Sequence, residues 1–261
     1  MLYEKIENQK EVLDEDSYTI PDYITNNLRY PLYDWQKTAL ENFLIHEKSQ
    51  QKKISKGEVV PPNHLMFNMA TGSGKTLVMA ALILYYYKQG YRNFIFFVNQ
   101  NAILGKTQAN FIDNTHNKYL FSENIVIEGV RVNIREVELF SDSCDDIQIK
   151  FTTIQKLHND IYKEGENALL LSDLQKRNIV LFADEAHHLN AATSKKKNAA
   201  KELSDDISFI GELKDSAKEE DIERSWEHTV CHCILKKDGK SALVNKMFFL
   251  NLPLQFQTLM K

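Results

Sequence analysis

The 261-residue sequence predicts an α/β domain: a mostly parallel sheet with helices on both faces. Three observations predict it. Short runs rich in β-branched and aromatic residues, "HLMFNM", "NFIFFV", "IQIKFTT" and "NIVLFA", stay apolar without strict alternation, as strands covered on both faces do. Helical patterns lie between them, and strands alternating with helices make a parallel, doubly wound sheet. Hydrophobic residues are 43% and charged residues 26%, while only 9 glycines and 5 prolines disfavour long disordered tracts. The length exceeds a typical single domain and is short for two, so one large domain with appendages is expected.

In chain order, residues 1–30 are polar and acidic, with Pro21 and Pro31 punctuating them, and read as an arm leading to the first helix. That helix begins after Asp34, which suits an N-cap, and brings Trp35, Leu40, Phe43 and Leu44 near one face. It gives way to a solvated loop at "EKSQQKKISKGE". The alternating strands and helices follow, inside a domain spanning 31–250. Residues 191–223 break the rhythm with a lysine run, many acids and few large apolar side chains, which predicts a mobile charged insertion. "RSWEHTVCHCILKK" then reads as an amphipathic helix and "KMFFL" as a final strand.

Several classes are disfavoured. The net charge of -4 supplies no global basic field, so any nucleic-acid contact must come from a local patch. Cys144, Cys231 and Cys233 are odd in number and lack C-x-x-C spacing, which argues against a disulfide framework and a zinc site and for reduced cytoplasmic thiols. His187 and His188 lack the H-E-x-x-H spacing of a zinc protease. Met1 is followed by polar and acidic residues rather than a signal peptide, and the longest apolar run, Val78 to Tyr87, is half a membrane span. No membrane association is expected.

Chemistry concentrates at "MATGSGKT", between a strand and a helix. Unpaired backbone amides at a helix start form a positive nest for phosphate oxygens, and Gly72 and Gly74 let the chain wrap closely around them. Thr71 and Ser73 complete the loop, Lys75 neutralises terminal phosphates and the Thr76 hydroxyl ligates magnesium. The bend therefore fits ATP with Mg2+. It departs from G-x-x-x-x-G-K-[ST] in one place, where Met69 stands for the first glycine. "NIVLFADEAHHLN" supplies the second half: an apolar strand ending in Asp184 and Glu185 delivers carboxylates to the carboxyl edge of a parallel sheet. Asp184 would hold magnesium, and Glu185 would position and deprotonate the attacking water.

"ADEAHH" together with "MATGSGKT" resembles the DEAH-type ATPase core of superfamily 2 helicases and translocases, which implies a RecA-like P-loop NTPase domain. "YPLYDWQKTAL" looks like the upstream glutamine motif, "FFVNQNAIL" like motif Ia and "FTTIQKLH" like motif Ib, in the expected order. The resemblance implies that Gln36 reads adenine with Tyr33 stacking near it, and that His187 couples nucleotide state to movement. It also implies that Asn99, Gln100, Thr153 and Gln155 lie near the DNA backbone. Within the superfamily, "NQNAIL", "TTIQKLH", "ADEAHHLN" and "SWEHTV" resemble the restriction subunit of type III restriction-modification enzymes over most of residues 25–250. That implies a cytoplasmic DNA-dependent ATPase working with a modification (methyltransferase) subunit and carrying an endonuclease domain. Other readings are a nucleotide-binding remnant without turnover and another superfamily 2 motor, such as that of a type I restriction enzyme.

The family's T-A-T motif and second RecA-like domain do not occur in the sequence. Reading the codons of "LNLPLQFQTLMK" one base out of register permits E-F-T-A-T-I-P-D-T-N-E, so residues 251–261 are expected to be a frame-shifted tail on a truncated motor.

Overall fold

A computed structural model describes residues 2–10, 13, 18–58, 63–67, 69–70, 72–97, 101–153, 156, 177–183 and 244–250. Its helices are α1 (Leu2–Lys10), α2 (Asp22–Thr25), α3 (Asp34–Ser55), α4 (Lys75–Lys88) and α5 (Asn101–Ile112). Its strands are β1 (Asn63–Phe67), β2 (Asn93–Phe97), β3 (Ile125–Ile127), β4 (Val130–Val132), β5 (Ile134–Glu136), β6 (Ile147–Thr152), β7 (Ile179–Ala183) and β8 (Val244–Leu250). The expected insertion at 191–223, the helix at 224–237 and the tail at 251–261 lie outside the described residues.

Six strands form one sheet in the order β1-β8-β7-β2-β6-β5, and every neighbouring pair is parallel. The five runs read as strands from sequence supply β1, β2, β6, β7 and β8. The result is the α/β architecture of a RecA-like domain. β3 and β4 stand apart as an antiparallel hairpin, turned by Glu128 and Gly129 at φ 53° and 78°. Two successive left-handed residues give a tight turn whose twist matches the paired strands.

Register aligns the carboxyl ends of five strands. Phe67 pairs with Leu250, Phe249 with Ala183, Ala183 with Phe97, and Phe97 with Thr152. The segments that follow β1, β2, β6 and β7 therefore leave the sheet along one edge. Ligands of open parallel sheets bind outside that edge.

Packing explains the alternation of strand and helix. Side chains alternate across a strand, so Phe94 and Phe96 share one face of β2, and Phe151 shares it on β6. Phe96 lies 5.2 Å from Phe111 of α5 and 5.5 Å from Phe151, centroid to centroid. Full burial of each such ring contributes about 1.5–3 kcal/mol. Helix α4 is apolar on all sides, and Leu77 through Tyr87 are all buried, as expected of a core helix. Its C-terminus is closed by Arg92, whose Nη1 donates to the Tyr87 and Tyr91 carbonyls at 2.9 and 3.0 Å while the guanidinium lies 4.0 Å from the Tyr87 ring centre.

Three features differ from the sequence reading. The segment read as an arm carries α1 and α2 and buries Ile6, Ile24 and Leu28 in the core. Asn27 fastens it: Nδ2 donates to the Tyr23 and Val126 carbonyls at 2.8 Å each, and Oδ1 accepts from Val126 N at 2.8 Å. One buried carboxamide thereby meets the backbone of β3 as a neighbouring strand would. Helix α3 starts at Asp34, with Tyr33 in the cap position, and runs on through "EKSQQKKIS" to Ser55. Lysine and glutamine are good helix formers that need no burial, so an exposed last stretch over residues 51–55 extends the helix where a loop was expected, while Glu47 is buried. On β6, Gln148, Lys150 and Thr152 are buried alongside Ile147, Ile149 and Phe151, so one face of that strand is polar and paired rather than apolar. No helix among the described residues is long and apolar enough to cross a membrane.

Candidate functional site

The turn from β1 into α4 lies at the aligned edge. Gly72 and Gly74 have φ of 80° and 78°, the left-handed region that glycine enters without steric penalty. Left-handed residues alternating with right-handed ones curl the chain so that successive N–H groups point into one concavity. Gly74 occupies the N-cap position of α4, so the helix opens directly from the loop. Ser73 N donates to the Ala70 carbonyl at 3.2 Å and Leu77 N to the Gly74 carbonyl at 2.9 Å, closing the turn around the first orphan amides of the helix.

Lys75, 8% exposed, folds back over this loop. Its Nζ donates to the Met69 and Ala70 carbonyls at 3.4 and 3.5 Å. Those lengths are at the weak end for N–H···O bonds, so an anionic oxygen entering the loop gains the ammonium at little loss. Thr76, on the first turn of α4, is half-buried. Met69, the departure from the glycine pattern, is buried in the core at the end of β1. Thr71 lies outside the described residues.

Helix α3 holds the loop from the other side. Gln36 is 1% exposed, and its Nε2 donates to the Ser73 and Gly74 carbonyls at 3.0 and 3.1 Å, while Oε1 accepts from Tyr33 N at 2.9 Å. Both donors of the carboxamide face the loop backbone, and Oε1 keeps one further lone pair for an incoming donor. A Cβ on Gly74 would stand 2.4 Å from Gln36 Nε2. Glycine at 74 is thus required twice, by φ and by the close approach of α3. Trp35 Nε1 donates to the Ser73 carbonyl at 3.1 Å, and Tyr33 stacks on Trp35 with ring centres 4.6 Å apart and 16° between planes. Both rings are exposed, at 60% and 46%.

β7 ends at Ala183, so the carboxylates read from sequence, Asp184 and Glu185, follow it directly in the chain. They lie outside the described residues, as do His187, Asn99, Gln100 and Gln155. Among the described residues no group of three or more His, Cys, Asp or Glu side chains gathers as a metal site.

Thr153, at the end of β6, is buried, and its Oγ1 accepts from Lys156 N at 3.2 Å. Beside it, Glu138 joins two lysines: Lys150 Nζ at 2.9 Å and Lys156 Nζ at 3.1 Å. The hydrogen bond from Lys150, then that from Lys156, holds the Glu138 carboxyl below its usual range against the opposing effect of burial. Lys150 is almost wholly buried and also donates to the Glu138 carbonyl at 2.9 Å. Charge pairing with full hydrogen bonding is what permits a lysine inside the sheet.

Sequence reasoning missed Trp35, Glu138 and Lys150 as members of these clusters. Trp35 carried a signal, since it adjoins Gln36 directly, whereas Glu138 and Lys150 meet across the connection between β5 and β6.

A family model described as "Type III restriction enzyme, res subunit" matches residues 29–210. The protein described as "Probable type III restriction-modification enzyme HindVIP Res subunit", from Haemophilus influenzae (strain ATCC 51907 / DSM 11121 / KW20 / Rd), is 48% identical over 243 residues. That similarity covers 91% of this chain and 46% of the relative, so the chain spans about half the relative's length.

Proposed function

The chain belongs to the family of type III restriction enzyme Res subunits, and from that membership we propose that its domain is the ATP-binding motor half of a DNA-dependent ATPase. The observation that carries the proposal is the loop between β1 and α4, where two left-handed glycines, a buried lysine and a helix N-terminus converge. This arrangement suits a polyphosphate chain: amides of the loop bind the phosphate oxygens, and Lys75 turns from the Met69 and Ala70 carbonyls to the terminal phosphates. Tyr33 and Gln36 face the adenine. Thr76, half-buried on the first turn of α4, would offer a hydroxyl to Mg2+, and Asp184 would be its carboxylate partner. An ion held by these two residues would supply positive charge against the phosphates. Glu185 orients the attacking water and takes its proton, and His187 relays the nucleotide state.

DNA is the second partner, met by Asn99, Gln100, Thr153 and Gln155, which follow β2 and β6 in the sequence. A modification subunit is the third. The site of action is the cytoplasm. In a two-domain motor of this kind, a second RecA-like domain supplies arginines to the transferred phosphoryl group, worth on the order of 10³–10⁵ in rate. These 261 residues alone therefore bind ATP with Mg2+ and hydrolyse it slowly, with little stimulation by duplex DNA. Calorimetry and a phosphate-release assay test both halves. Absence of ATP binding refutes the nucleotide reading, and robust DNA-stimulated turnover by this chain alone refutes the two-domain division of labour.

A further inference from the structure

We infer that Trp35 is a positioning residue for the phosphate loop, aiming the loop's amides through its hydrogen bond to the Ser73 carbonyl; this rests on the ATP-binding reading above. A trans peptide is planar, and its C=O points opposite to the N–H of the next residue. No cis peptide occurs among the described residues. When Trp35 Nε1 and Gln36 Nε2 both draw the Ser73 oxygen toward α3, at 3.1 and 3.0 Å, the Gly74 N–H of the same plane is turned away from α3. The same logic applies one peptide later: the Gly74 oxygen, bonded to Gln36 Nε2 at 3.1 Å and Leu77 N at 2.9 Å, turns Lys75 N–H the same way. These two amides stand at the mouth of α4, where an anion is stabilised by the helix.

Glycine on both sides of Ser73 makes this hold necessary. Gly72 and Gly74 leave the Ser73–Gly74 plane few steric constraints of its own, so its orientation depends on what grips the carbonyl. Gln36 does so from a buried position. Trp35 does so from an exposed one, with its ring kept in place by the Tyr33 stack at 4.6 Å. Although the ring is nearly half exposed, its indole N–H is spent on the loop carbonyl. The same ring then reports on the loop, because any movement of the Ser73 carbonyl changes the polarity at Nε1.

The protein has two tryptophans, Trp35 and Trp226, so Trp226→Phe leaves Trp35 as the sole indole emitter. In that background, emission is expected to change saturably with Mg-ATP and also with inorganic tripolyphosphate, which has no base to touch an aromatic ring. Trp35→Phe keeps an aromatic ring to stack on Tyr33 and removes the N–H together with the five-membered ring that carries it. It is expected to weaken ATP and tripolyphosphate binding alike by about three- to tenfold, the value of one hydrogen bond to a carbonyl. Equal affinities in parent and Trp35→Phe overturn the inference while leaving ATP binding standing. Weakening for ATP alone, with tripolyphosphate unchanged, also overturns it by moving Trp35 to the base. A parent chain that binds neither ligand fails the functional reading itself, and the inference falls with it.

Discussion

Gly74→Ala places a methyl group against Gln36 Nε2 and at a backbone angle that side chains rarely adopt. At φ 78°, a residue with a Cβ costs about 1–2 kcal/mol relative to glycine. The new Cβ would stand 2.4 Å from Gln36 Nε2, inside the distance real Cβ atoms keep, so the carboxamide must move. That group is 1% exposed and bonded to the Ser73 and Gly74 carbonyls, so moving it breaks both bonds. Losing those two hydrogen bonds costs about 0.5–1.5 kcal/mol each, and with the backbone strain the expected destabilisation is about 2–5 kcal/mol. Urea unfolding followed by circular dichroism measures it directly. The sharper test is a cycle with Gln36→Ala. Removing the carboxamide removes the clash, so the double variant is expected to be more stable than the two single losses predict, by about 1–3 kcal/mol. Additive losses, or a Gly74→Ala protein within about 0.5 kcal/mol of the parent, would refute the packing of α3 against the loop.

Two further outcomes follow from the chemistry. Glu185→Gln keeps the shape of the side chain and removes a base, so it is expected to bind Mg-ATP with near-parent affinity while losing turnover; calorimetry showing no binding would contradict the separate roles of Asp184 and Glu185. Glu138 has a lowered pKa because Lys150 and then Lys156 donate to its carboxylate, so its stabilising effect is present above the ordinary carboxylate range and is lost as pH falls through the lowered value. The parent is therefore expected to melt above Glu138→Gln at neutral pH, and a gap that does not narrow at all as the pH is taken below the ordinary carboxylate range would deny the ionic origin.

What the sequence revealed and what it hid divide along physical lines. The strands β1, β2, β7 and β8 were legible because each carries a compact apolar run, as burial in a parallel sheet demands locally, and β6 through Ile147, Ile149 and Phe151 on its apolar face. The phosphate loop was legible for a similar reason: glycine at 72 and 74 answers a local requirement for positive φ. By contrast, β3, β4 and β5 have three residues each, too few to set a period. Asn27 looked like an ordinary polar residue of an acidic arm, and only its contacts with Val126, far along the chain, make it a buried fastening. Gln36 was legible through the resemblance of "YPLYDWQKTAL" to the upstream glutamine motif, and Trp35 only as its neighbour. Their hold on the Ser73 carbonyl spans 37 and 38 positions and depends on the packing of α3. The polar face of β6 escaped for the same reason, since Gln148 and Lys150 find their partners in the connection from β5.

The most direct measurement is titration of the 261-residue chain and of Lys75→Ala with ATP in the presence of magnesium, by calorimetry, with circular dichroism showing that both are folded. Removal of the ammonium that lies over the loop is expected to abolish detectable binding while the parent binds with a one-to-one stoichiometry. Equal affinity in the two folded proteins would contradict the assignment of this loop as the phosphate site.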